Sequence, residues 1–227
     1  MSHDFQSHSK VWFDPRLATI IRDTFSYMAK NYQMTGVIDH AAWIIQEEEL
    51  ENMLSNFAVS DRVAHGVSFS PKAYNTFVRL IDYAGFAAPK QADRVLLELI
   101  HEAFLDSESD NDQIYTVMAV TPDRLTALIS AFGKMIDDPG AIDNSMYDLA
   151  EWDDFENLTR RLKDLQVPSE RLVPVTLTFR EWGTYASYLN HVYDLDEEEL
   201  SATEATAISD LLAELYPLQT LFAASEN

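Results

Sequence analysis

The chemistry this chain could perform rests first on its six histidines and 38 aspartates and glutamates. Glu98-Leu-Ile-His101 has the Glu-x-x-His spacing that sets two ligands on one helix face, as in di-iron carboxylate bundles. Such a centre needs a second pair of this kind and further glutamates. None of His3, His8, His40, His65 or His191 has a glutamate three residues before it. No metal site is therefore expected, and His101 reads as a helix-surface or half-buried residue. The chain has no cysteine, which removes the thiol nucleophile, thiolate metal ligation and disulfides. Gly-x-Ser-x-Gly, Walker and Gly-x-Gly-x-x-Gly motifs are absent, and six glycines leave little material for a phosphate cradle. Carboxylate pairs are too common in this sequence to carry any specificity for acid–base catalysis. The expectation is a protein that is not an enzyme and needs no cofactor, with a carboxylate- or metal-dependent enzyme as the outside alternative.

Charge then points to what the chain does instead. Against 38 acids stand 16 lysines and arginines, a net charge of −22 and a pI near 4.4. Such a surface repels nucleic acid and anionic membrane and attracts basic partners or cations. Arg160-Arg161-x-Lys163 is the one basic cluster, and acids surround it, so direct nucleic-acid binding is not expected. Net charge of this size also serves solubility, or adaptation to high salt, which the aromatic content and plain loops do not favour. A third reading is that carboxylates imitate phosphates. Those at i, i+3 and i+4 on a helix lie about 5–6 Å apart, a spacing compatible with occupying a protein that normally binds nucleic acid.

The acids concentrate in runs: Glu47-Glu-Glu-Leu-Glu51, Glu151-Trp-Asp-Asp-Phe-Glu156 and Asp194-Leu-Asp-Glu-Glu-Glu199. The candidate partner-binding residues are Glu151, Trp152, Asp153, Asp154, Phe155 and Glu156, with Asp194, Asp196, Glu197, Glu198 and Glu199. In the first group Trp152 and Phe155 would anchor a partner that the acids steer, unless both rings face the core of an otherwise solvated helix.

Elements that position these runs can be read from repeated strand-to-helix joins. VTLTFREWGTYASYLNHV (175–192), VSFSPKAYNTFVRLIDYA (67–84) and VMAVTPDRLTALISAFGKMI (117–136) each pass from a β-like run through Ser or Thr into a helical pattern. Counted from the caps Ser70, Thr121 and Thr178, offsets +4, +7, +8 and +11 are apolar in all three: Tyr74, Phe77, Val78 and Ile81; Leu125, Leu128, Ile129 and Phe132; Trp182, Tyr185, Ala186 and Leu189. That is a helical stripe behind a side-chain cap. Pro71 and Pro122 occupy N1, and Thr178-Phe-Arg-Glu181 is a capping box. A weaker copy starts at Asp14-Pro15, with Ile21, Phe25 and Met28 on its stripe and a poor fit at Ala18 and Arg22. Further helical patterns follow at roughly 40–57, 90–105, 146–165 and 200–222.

The unit is therefore strand, helix, helix. Caps two apart differ by 107 (121 − 14) and 108 (178 − 70), so the double unit is the more even period. The expected fold is helix-rich α+β, with tandem strand-helix-helix units giving about eight helices and four short strands in two similar halves. The expected boundary is the acidic DSESDNDQ at 106–113, separating residues 1–110 from a more acidic probable duplicate at 111–227. The first half holds 16 acids and 9 bases (−7), the second 22 acids and 7 bases (−15). Neither a signal pattern at MSHDFQSHSK nor an apolar run near the ~20 residues of a membrane span is present. A cytoplasmic monomer or homodimer is expected. Its function is expected to be binding a basic macromolecule, sharpest as a nucleic-acid-mimicking inhibitor of a host nucleic-acid-binding or defence protein. The alternative is a regulatory adaptor with aromatic inter-helix grooves.

Overall fold

In the computed structural model the described residues are 9–35, 39–40, 43–44, 47–57, 65–109, 114–137, 149–165, 172–178, 181–183, 185–186, 189 and 200–225. The fold is mixed α and β, rich in helix. Four times a strand leads into two helices: β1 (Ser9–Phe13), α1 (Pro15–Thr35) and α2 (Glu47–Asn56); β4 (His65–Phe69), α3 (Pro71–Ala87) and α4 (Gln91–Ser109); β5 (Ile114–Val120), α5 (Pro122–Asp137) and α6 (Leu149–Asp164); β6 (Val173–Thr178), α7 (helical at 181–183, 185–186 and 189) and α8 (Ala202–Ser225).

All four expected caps are in place. Asp14 Oδ1 accepts from the Arg16 amide at 2.8 Å, Ser70 Oγ from Ala73 at 3.2 Å and Thr121 Oγ1 from Arg124 at 3.4 Å. At α7 the box closes both ways: Glu181 Oε2 accepts from the Thr178 amide at 2.9 Å, and Thr178 Oγ1 from the Glu181 amide at 3.3 Å. Each bond satisfies an amide that the first helical turn leaves free. Behind the caps the stripes are buried apart from half-buried Tyr74 and Ile129, with Phe77, Leu128, Tyr185 and Leu189 at 0% exposure. Ala18, a poor fit on hydropathy, is also buried.

One segment departs from expectation. The helix foreseen from residue 40 begins only at Glu47, and Asp39–His40 (β2) pairs antiparallel with Trp43–Ile44 (β3). The aromatic Trp43 and β-branched Ile44 favour extended backbone, whereas three glutamates favour a helix N-terminus.

Strands β4, β1, β5 and β6 form one four-stranded sheet in that order. β1 runs antiparallel to β4 from Ser9↔Phe69 to Phe13↔His65, and parallel to β5 with Trp12↔Thr116 and Phe13↔Val117. Contacts divide the chain into two compact units, Met1–Ala119 and Val120–Asn227. The first has an aromatic core in which Phe13 meets Phe57 at 5.1 Å and Phe77 at 5.7 Å, and Phe77 meets Phe104 at 5.1 Å. On the other side of β1, Trp12 lies opposite Gly66, and Lys10 Nζ sits 4.1 Å from the Trp12 ring centre. A Cβ on Gly66 would stand 2.9 Å from Trp12 Cζ3 and 2.7 Å from Lys10 Cε, so the ring takes the space a side chain would fill.

The second unit is built round Phe132, which meets Phe155 at 4.9 Å and Tyr185 at 6.1 Å. Leu158, Leu162, Ile208 and Leu211 are buried in the same unit.

Candidate functional site

The acidic run 151–156 lies in the first two turns of α6, whose last turn carries Arg161 and Lys163. Amide dipoles make a helix N-terminus partly positive and its C-terminus partly negative, so this order of charges stabilises the helix itself. Glu47, Glu48 and Glu49 likewise begin α2, whose last turn carries no base. In the sequence, 194–199 immediately precedes α8. The three acidic runs therefore share a position at or before a helix start.

Side chains along α6 have divided roles. Asp153 is exposed and Glu156 half-buried, whereas Phe155 is at 0% exposure against Phe132. Phe155 is therefore a core residue and not a partner anchor, because its ring already fills the centre of its unit. The side chains of Glu151, Trp152 and Asp154 lie outside the described set, as do residues Asp194, Asp196, Glu197, Glu198 and Glu199. The stripe aromatics Phe132, Trp182 and Tyr185 are buried.

What the arrangement does with positive charge is more informative. Every described arginine is bonded within the chain. Arg16 reaches Asp14 at 2.8 Å and the Ala119 carbonyl at 2.7 Å, Arg22 reaches Asp23 at 2.7 Å, and Arg79 reaches Glu49 at 3.3 Å. Arg94 donates to the Ala88 carbonyl at 2.6 Å, closing the end of α3, and Arg124 to Asp210 at 2.9 Å. Arg160 donates to Asn157 at 3.1 Å, and Arg161 to the Thr176 carbonyl at 2.6 Å and Glu181 at 3.1 Å. Exposed Glu51, Glu98, Glu102, Asp123, Asp137, Asp153 and Asp164, by contrast, form no salt bridge among the described residues.

Among the described residues Glu204 is the carboxylate whose pKa is shifted. It occupies N3 of α8 in a second capping box: its Oε2 accepts from the Ser201 amide at 2.7 Å and its own amide donates to Ser201 Oγ at 3.3 Å. Ser130 Oγ donates to Oε1 at 2.6 Å and Lys134 Nζ to Oε2 at 2.7 Å, both from α5. Burial alone would raise its pKa, but the bonds from Lys134, Ser130 and Ser201 outweigh it and hold the carboxyl at about 2. With its lone pairs committed to these donors, Glu204 ties two helices together. Sequence reading overlooked it although Ser201-x-x-Glu204 is a capping-box signal.

His101 Nδ1 lies 3.8 Å from Asp82 on α3, and its side chain is 19% exposed. No three His, Asp or Glu side chains among the described residues converge to hold a metal ion. No helix among them is long and apolar enough to cross a membrane. The chain matches no family model, no curated protein and no solved structure with which it was compared.

Proposed function

We propose that this is an acidic, non-enzymatic interaction protein that binds a basic macromolecular surface. Its sharpest form is a nucleic-acid mimic that occupies a host nucleic-acid-binding or defence protein, acting in the cytoplasm as a monomer or homodimer. One observation carries the reading: the net charge is −22, and among the described residues the exposed carboxylates Glu51, Glu98, Glu102, Asp123, Asp137, Asp153 and Asp164 form no salt bridge, so unpaired negative charge stands at the surface. A field of that sign steers cationic partners and excludes nucleic acid. Asp153, Asp154 and Glu156 on α6, with Glu151, Asp194, Asp196, Glu197, Glu198 and Glu199, are the acids assigned to this contact.

Capture on the immobilised chain from host lysate tests the reading, with duplex DNA added as competitor. A basic nucleic-acid-binding protein should be retained at low salt and released both by DNA and by raised salt. Retention indifferent to both would remove the mimic.

A further inference from the structure

A charged surface steers a partner, but a lasting contact also needs an apolar anchor, and Phe155 is not available for that role. Among the described residues the exposed large apolar side chains are Tyr27, Phe86 and Leu105, and the latter two belong to the α3–α4 hairpin. Phe86 is 57% exposed and Leu105 44%.

The two helices meet along one seam: Asp82 faces His101 at 3.8 Å, and the stem of Glu98 lies over Gly85, 3.1 Å from where a Cβ would stand. On α3, Asp82 and Phe86 are four residues apart. On α4, Glu98, Glu102 and Leu105 follow at i, i+4 and i+7, all exposed. Residues at these spacings share a helix face, so this seam carries two apolar groups and three acids. The arginines next to it bond within the chain, Arg94 to the Ala88 carbonyl and Arg79 to Glu49.

We propose that this seam docks a basic amphipathic helix of a partner. Apolar residues of that helix would seat on Phe86 and Leu105 and its lysines or arginines on Asp82, Glu98 and Glu102. From Glu98 to Leu105 α4 rises about 10 Å, two turns, which suits the i, i+3, i+4, i+7 anchors of a docked helix. The inference rests on the acidic-binding reading.

The test is fluorescence anisotropy of a labelled synthetic amphipathic Lys/Leu peptide titrated with the full-length chain. Circular dichroism checks that each variant is folded. Phe86→Ser with Leu105→Ser, and separately Glu98→Lys with Glu102→Lys, should each weaken binding by roughly tenfold or more. The control, Asp137→Lys with Asp164→Lys, makes the same change of charge at two helix C-termini, where lysine is favourable, and should stay within about threefold of the parent. Equal weakening by both charge reversals, or no effect of the apolar pair, would overturn the seam while leaving acidic binding in place. No binding of the peptide to the parent chain at low salt would overturn both.

Discussion

Replacing Glu204 by glutamine keeps the shape of a side chain that ties α8 to α5 and removes its charge. The amide oxygen can take the place of Oε2, facing Lys134 and the Ser201 amide, while its NH2 meets the Ser130 hydroxyl, which turns to accept. What is lost is electrostatic. Lowering a carboxyl from 4.5 to about 2 corresponds to on the order of 3 kcal/mol, since a tenfold change in proton affinity is about 1.4 kcal/mol. The Lys134 side chain is 44% exposed, so solvent screens its share and about 2 kcal/mol is expected at neutral pH. Because the folded pKa is the lower one, this contribution is fully present above the unfolded value of 4.5 and fades as pH falls toward 2. Urea unfolding of Glu204→Gln and the parent, at about pH 7 and again near pH 2.5, measures the difference directly while other carboxylates cancel. A gap of about 2 kcal/mol that shrinks below about 0.5 at the acid end is expected. A gap unchanged between the two pH values would refute the charge argument, and no gap at pH 7 would refute the tie itself.

The remaining expectations concern packing and the division of labour along α6. Phe155→Ala should lower stability by about 3–5 kcal/mol by emptying the site against Phe132, whereas Asp153→Lys should change it by less than about 1 kcal/mol; thermal melts distinguish the two. Gly66→Val should cost about 1–3 kcal/mol, because the Trp12 ring must leave its place over the strand, and tryptophan fluorescence should shift with it. Ser70→Ala should cost about 1 kcal/mol through the lost cap on α3, readable by urea unfolding.

Much of the helical framework was legible because its determinants are local. Ser70, Thr121 and Thr178 cap helices within three residues of themselves, and their stripes repeat at a period fixed by the backbone. The sheet order was not legible: β1 pairs with β5 about 100 residues away through backbone groups that every residue type shares. The β2–β3 pair was hidden by an apolar run too short to separate strand from helix by period. At the candidate site, local sequence suggested Phe155 as an anchor, yet its partner Phe132 lies on another helix. The arginines were equally opaque, since Arg16 reaches Ala119 and Arg124 reaches Asp210, links set by tertiary structure alone.

The most direct measurement is the dissociation constant of the complex with a captured basic partner, followed over increasing salt for the parent and for Asp153→Lys/Asp154→Lys/Glu156→Lys. The account predicts affinity for the parent that falls steeply with salt, and a folded triple variant that has lost binding. Affinity independent of salt and unchanged in the variant would contradict it.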